Sequence, residues 1–161
     1  MNSRSTFLSI LIVLGTCSSS FAEALPKGAK DLTEKEVIEL YSGNTMKWDD
    51  DNLAYFAPDG NVTSTFSFAG SKGYTVGQWK VTGSEICKNT SEWFDVTKKT
   101  SGKGSPDCWK WARKGDTLYS IWSVRFDGKK TEKKSWVKGD NAKIKTGDMA
   151  TKRIDELKTK M

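Results

Sequence analysis

The stretch 73–108 constrains the fold most, because it joins strand-like alternation, a tight turn and two cysteines. Apolar residues alternate with polar ones up to Val76 and again from Trp79, so the alternation changes phase once, at Gly77. A phase change at a glycine is typical of a β-bulge, or of two short strands that meet at a bend. The Gly83-Ser84 turn then reverses the chain into a second strand.

Turn signals of the same kind divide most of the chain into short alternating segments. Examples are the Pro58-Asp59-Gly60-Asn61, Gly115-Asp116 and Asp127-Gly128 sequences, and the longest polar loop is predicted at 97–106. We therefore predict a mainly β fold of about eight strands in a single antiparallel meander. A small closed lipocalin-like barrel is one arrangement that protects the edges of such a meander.

Two helices are predicted at the ends of the exported chain. Near the N-terminus, Thr33 and Glu36 have the spacing of a capping box, and an apolar stripe that includes Val37 and Tyr41 follows before Gly43. This pattern predicts a short N-terminal helix of about two turns that flanks the sheet. Near the C-terminus, apolar residues recur at helical spacing from residue 150, which favours a short terminal helix.

The N-terminus itself has the three parts of a secretory signal peptide. Arg4 precedes an apolar run at 7–15, and the small-x-small site Ala22-Glu23-Ala24 follows. The run is too short to span a bilayer, and we expect no transmembrane segment later in the chain. We expect cleavage after Ala24, with Ala22 as the second choice. Cys17 lies in a sequence that distantly resembles a bacterial lipoprotein box, so lipidation is the alternative to such cleavage.

These features predict a periplasmic or secreted protein with a single β domain. The predicted segments are a signal peptide over 1–24, a β domain over 25–140 and a basic, partly helical C-terminal tail over 141–161.

Two cysteines, Cys87 and Cys108, remain after the predicted signal peptide. An even pair in an exported chain predicts a disulfide, which would stabilise the fold by about 3 kcal/mol in the chain-entropy model. A redox-active or metal-binding pair is the alternative. The chain contains no histidine to complete a zinc site, and we predict no metal and no cofactor.

The charge distribution suggests an anionic partner. The net charge is +6, and the basic residues are concentrated after residue 96. Such a basic end attracts envelope glycans, phospholipid head groups or acidic proteins, although a solvated lysine-rich surface is the better explanation for most of these lysines. We do not expect nucleic acid as a partner, because exported proteins rarely meet it.

Aromatic residues provide the candidate ligand site. Trp109 and Trp111 share one face of a predicted strand, while Cys108 and Ala112 occupy the other. Either these indoles belong to the core or they line a groove where they stack on sugar rings or receive a lipid chain. The predicted ligand-binding residues are Trp109, Trp111, Lys110, Arg113, Lys129 and Lys130.

The sequence offers little for catalysis or metal binding. The chain has no histidine to activate a nucleophile, and no Asp or Glu lies in an apolar sequence setting that would clearly raise its pKa. We therefore predict that the protein is not an enzyme. The acidic run 49–52 could supply calcium ligands, but it lacks the spacing of a calcium-binding loop and is more typical of a solvated turn.

Several motifs resemble a known family when taken as a set. They are LPKGAK at 25–30, LYSGNT at 40–45, YFAPDG at 55–60, GQWKV at 77–81 and the Cys87 and Cys108-Trp109 pair. Together they resemble the bacterial exported family known as domain of unknown function 995 over residues 25–125. Met46 departs from that family's pattern, and the lysine-rich tail looks like an extension. The resemblance implies a periplasmic location and no catalytic residues that carry over.

Two hypotheses for function follow. The first is a non-enzymatic binding domain for an anionic cell-envelope component, either an acidic glycan or a lipid head group. The second is a protein-interaction or structural domain, such as a barrel that resembles periplasmic lysozyme inhibitors. The charge disfavours that example, because common lysozymes are also basic.

Overall fold

The structure is a computed structural model that describes residues 24–125 and 135–160. These residues form eleven β-strands, two α-helices and one short 3-10 helix. The strands are β1 (Lys30–Asp31), β2 (Asn44–Lys47), β3 (Leu53–Phe56), β4 (Asn61–Phe68), β5 (Ser71–Thr82), β6 (Glu85–Asp95), β7 (Thr100–Lys103), β8 (Pro106–Lys114), β9 (Thr117–Val124), β10 (Val137–Lys138) and β11 (Ile144–Thr146). The helices are α1 (Glu34–Tyr41), α2 (Thr151–Lys158) and the 3-10 helix Asp140–Lys143.

All strand pairs are antiparallel, and the main path of the sheet runs β10-β9-β8-β6-β5-β4-β3-β2-β11. The short strand β1 pairs with β8, and β7, which lies in the predicted loop 97–106, pairs with β6. The predicted mainly β, antiparallel fold with a short N-terminal helix is therefore confirmed.

The closed lipocalin-like barrel is not formed, because the sheet is a half-barrel. Within the described residues, β10 pairs with β9 at one edge and β11 pairs with β2 at the other. The 3-10 helix Asp140–Lys143 connects these two short strands. The chain thus crosses between the two edges without the ladder of hydrogen bonds that would close a ring.

The curvature of the sheet defines an inner face and an outer face. The rings of Trp48, just after β2, and Trp109, in β8, have centroids 6.0 Å apart. Several strands separate these residues in the sheet order, so the face that they share must be concave. We call this face the inner face and the opposite one the outer face.

Helix α1 closes one end of the half-barrel. Thr33 Oγ1 accepts a hydrogen bond from the backbone N–H of Glu36 at 3.3 Å, and Glu36 Oε2 accepts one from the backbone N–H of Thr33 at 2.8 Å. The predicted capping box is therefore present. Behind it, Val37 and Tyr41 are buried in the core of the inner face.

Helix α2 covers part of the outer face. Its Ile154 and Leu157 pack in a second core with Leu53 and Tyr74 of the sheet. Arg153 also forms an ion pair with Asp51. The segment predicted as a basic tail thus contributes β11 to the sheet and a helix to the core.

The two cores also explain the phase change in β5. Tyr74 and Val76 pack in the core under α2, whereas Val81 and Trp79 pack in the inner core. The predicted bulge is present beside Gly77, but the extra residue is Ser91 in β6, because Val76 pairs with Glu92 and Gly77 with Thr90.

No helix among the described residues is long and apolar enough to cross a membrane. The described part of the chain begins at Ala24, so the rest of the predicted signal peptide, including Cys17, lies outside it.

Candidate functional site

Trp109 and Trp111 share the inner face, as their spacing predicted, and both are buried. Trp111 is 0 % exposed, and its Nε1 donates a hydrogen bond to the hydroxyl of Tyr41 at 3.2 Å. Trp111 is therefore part of the core against α1, and its ring faces are covered by protein. Lys110 lies between the two indoles in β8, so its side chain points to the outer face.

The predicted cations do not gather around these tryptophans in the described residues. Arg113 forms an ion pair with Glu36 of α1, with Nη1 and Oε1 3.0 Å apart. Lys129 and Lys130 lie outside the described residues. The structure therefore separates Lys110 from Trp109 and Trp111, because successive residues of a strand face opposite sides. Arg113 shares the face of the two tryptophans by the same two-residue period, but its guanidinium is paired with Glu36 at the α1 end of β8.

Cys87 and Cys108 form the predicted disulfide between β6 and β8, with Cα atoms 4.1 Å apart. The two residues lie directly opposite each other in the ladder. The bond therefore links adjacent strands and holds them in this register.

The acidic run 49–52 is occupied by contacts within the protein. Asp49 Oδ1 accepts hydrogen bonds from the backbone N–H groups of Asp51 and Asn52 at 2.8 Å. Asp50 pairs with Lys47, and Asp51 with Lys72 and Arg153. These contacts are those of a solvated turn that also anchors α2, and no cluster of metal-ligating side chains occurs in the described ranges.

A row of three tryptophans crosses the inner face at the end away from α1. Trp109 stacks on Trp122 with ring centroids 6.5 Å apart and planes within 4° of parallel, and Trp48 contacts Trp109 from the other side of the half-barrel. Trp48 is 36 % exposed and Trp122 is 39 % exposed. The row therefore has a buried centre and two accessible ends.

A charged pair lies beside this row. Lys88 and Asp107 are directly opposite each other on β6 and β8, with Nζ and Oδ2 3.8 Å apart. Their side chains are only 12 % and 7 % exposed. Asp107 lies four residues before Trp111 in β8, which places it about 13 Å further from α1. We therefore call Lys88, Asp107 and the three tryptophans the open-end site.

Hydrogen bonds hold the acid more firmly than the base. Trp122 Nε1 donates to Asp107 Oδ1. Lys88 Nζ lies 3.5 Å from Ser64 Oγ, which shares a 2.5 Å hydrogen bond with the hydroxyl of Thr75. Neither contact of Lys88 has the length of a strong hydrogen bond, so its ammonium, with three N–H donors, retains the capacity to bind another acceptor.

Burial disfavours both charges of the pair. Loss of water raises the pKa of Asp107, and this rise is opposed by the Lys88 ammonium and by the hydrogen bond from Trp122. The same loss of water lowers the pKa of Lys88, opposed by the Asp107 carboxylate. Titratable groups that are buried and perturbed in this way are concentrated at functional sites.

The expectation that no carboxylate lies in an apolar setting is wrong for Asp107. The sequence neighbours of Asp107 are Pro106 and Cys108, and the indoles that surround it come from β8 and β9. One signal was available in the sequence. A disulfide between adjacent antiparallel strands at Cys87 and Cys108 places their neighbours Lys88 and Asp107 opposite each other on the other face.

The open-end site combines one donor, one acceptor and flat apolar surfaces at the mouth of a half-barrel. Together with the fold, it defines a small disulfide-linked antiparallel β domain with one helix on each face. A model of the family described as "Protein of unknown function (DUF995)" matches residues 9–152, and the chain belongs to that family. No curated protein and no solved structure matches the chain.

Proposed function

We propose that this protein is a non-enzymatic periplasmic or secreted binding domain for an anionic component of the cell envelope. The ligand is an acidic glycan or a lipid head group, and it binds at the open-end site. The observation that carries the proposal is the ammonium of Lys88, which has two long contacts and N–H donors to spare beside two accessible indoles, in a chain of net charge +6. A lysine is almost never buried unless it is paired, and the desolvation of such a pair can cost more than the attraction between its charges returns.

Charge and location support the same ligand class. The net charge of +6 attracts anions over a distance set by the salt concentration. The disulfide is compatible with an exported protein, because such bonds persist in oxidising compartments. A signal peptide before Leu25 would deliver the domain to the compartment that contains envelope glycans and lipids.

A direct test measures binding of the oxidised protein to polygalacturonate, to phosphatidylglycerol vesicles and to neutral dextran. We expect at least one of the two anionic ligands to bind at low salt and to weaken steeply by 0.5 M salt, where the Debye length is well below its value of about 10 Å at 0.1 M. Dextran should bind much less. Absence of binding to both anionic ligands would refute the proposal.

Variants assign the binding to the site. Lys88→Met should weaken binding, whereas Lys110→Met, which removes an exposed lysine on the outer face of the neighbouring strand, should not. If Lys88→Met does not fold, the double variant Lys88→Met/Asp107→Asn removes both buried charges and serves instead. Equal loss of binding in the Lys88 and Lys110 variants would place the ligand elsewhere.

A further inference from the structure

The Lys88–Asp107 pair is separated by a gap that favours one kind of ligand group. Nζ and Oδ2 are 3.8 Å apart, which exceeds the usual length of a hydrogen bond. A hydroxyl beside both groups could accept a hydrogen bond from the ammonium with its oxygen and donate its O–H to the carboxylate. A hydroxyl has both functions, whereas an ionised carboxylate only accepts.

A bare anion fits this position poorly. A phosphate or carboxylate placed against Lys88 would also lie against Asp107, and two like charges at such a distance repel strongly where little water screens them. The carboxylate of Asp107 is held in place by the N–H of Trp122. The pair therefore selects a neutral hydroxyl, and a negative charge on the ligand must lie further out.

The tryptophan row supplies the second half of the recognition. The same Trp122 that orients Asp107 is 39 % exposed and stacks on Trp109. An indole beside a hydrogen-bonding pair suits a sugar ring, whose C–H groups form a flat apolar face and whose hydroxyls project from its edge. The acyclic glycerol phosphate of a phosphatidylglycerol head group presents no such face.

We infer that the open-end site binds a sugar ring, with one hydroxyl bridging Lys88 and Asp107 and the ring against Trp122. This inference rests on the proposed function and chooses the acidic glycan over the lipid head group. The acidic substituents of the glycan lie outside the pair and contribute through the long-range attraction of the basic protein.

The test compares ligands that carry the same charge and differ in hydroxyls. Oligogalacturonate is titrated against the wild-type protein beside polyacrylate of equal charge and beside an O-methylated oligogalacturonate that keeps its carboxylates. Binding is followed through tryptophan fluorescence and calorimetry. We expect both ligands without hydroxyls to bind at least about tenfold more weakly, as the loss of one hydrogen bond to a charged group predicts.

Matched variants test the two residues that make the contact. Asp107→Asn should weaken oligogalacturonate binding about tenfold or more, while Asp116→Asn in the exposed β8–β9 turn should leave it unchanged. Circular dichroism melting verifies the fold of each variant. Trp122→Phe, which removes the N–H that holds Asp107 and keeps an aromatic ring, should also weaken binding.

The outcomes separate this inference from the proposed function. If polyacrylate or phosphatidylglycerol vesicles bind as tightly as oligogalacturonate, anion binding stands and the sugar site is refuted. If oligogalacturonate binds the Asp107→Asn variant as tightly as the wild type, the bridging hydroxyl is also refuted. If no anionic ligand binds, the proposed function itself fails.

Discussion

Lys88 and Asp107 face each other across β6 and β8 in the rung next to the one that the Cys87–Cys108 disulfide bridges. The disulfide lies on the outer face and the charged pair on the inner face, because successive residues of a strand point to opposite sides. A covalent bond thus holds the register that brings two buried charges together. This arrangement fits a site that must keep its geometry although each of its two charges would be more stable in water.

The disulfide should contribute measurably to stability. We expect Cys87→Ala/Cys108→Ala to lower the free energy of unfolding by about 3 kcal/mol, as the chain-entropy model predicts for a loop of this size. Urea denaturation of both proteins measures the difference. The oxidised wild type should take up no alkylating group at these cysteines without a reductant, and uptake of two groups would show that the bond is absent.

Removal of Lys88 should destabilise the fold by an amount that depends on pH. Burial raises the pKa of Asp107, and Lys88 opposes that rise, so Lys88→Met should leave Asp107 with a still higher pKa in the folded state. A carboxyl of raised pKa stabilises the fold in its protonated form, and that stability is lost as the pH rises through the folded pKa. We expect a loss of about 3–5 kcal/mol at neutral pH and a smaller loss near pH 4.

Urea denaturation at both pH values measures this effect. In the Asp107→Asn background the same Lys88→Met substitution leaves no buried carboxylate without its cation. The resulting loss in the free energy of unfolding should therefore be nearly independent of pH. A loss of equal size at both pH values in the wild-type background would contradict the assignment to Asp107.

Trp111 should behave as a core residue. It is fully buried and donates to Tyr41, so we expect Trp111→Ala to lower the free energy of unfolding by about 3–5 kcal/mol. Tyr41→Phe, which removes only the acceptor, should cost about 1–3 kcal/mol. Trp48→Ala, at an accessible end of the row, should cost less than Trp111→Ala, and the reverse order in thermal or urea unfolding would be inconsistent with the packing.

Helix α2 should be required for full stability. Leu157 is buried against the outer face, so Leu157→Ala should cost about 2–5 kcal/mol. Lys152→Ala on the exposed side of the same helix should change stability by no more than about 0.5 kcal/mol. Equal, negligible effects of both substitutions would mean that α2 does not pack on the sheet in solution.

The N-terminus of the exported protein tests the location. We expect a mature chain that begins at Leu25, because the small-x-small site at 22–24 follows an apolar run of signal-peptide length. Intact mass of protein from the periplasm or the medium measures this directly. A lipid on Cys17 would instead support the lipoprotein alternative.

The sequence by itself determined the features that depend on neighbours along the chain. Residue spacing was enough to predict the capped helix, the hairpin turns and the shared face of Trp109 and Trp111. The pairing of Cys87 with Cys108 followed because only these two cysteines remain after the predicted signal peptide. Local backbone geometry and the two-residue period of a strand were sufficient for these predictions.

Only the tertiary structure decided which face is buried, whether the sheet closes and which side chains surround the charged pair. These properties depend on register and curvature, which bring Trp48 against Trp109 and Lys88 opposite Asp107 from distant parts of the chain. A strand buried on both faces by different helices also gives no single alternation that could identify its inner side. The site therefore arises where three strands and a turn meet, and no one segment contains it.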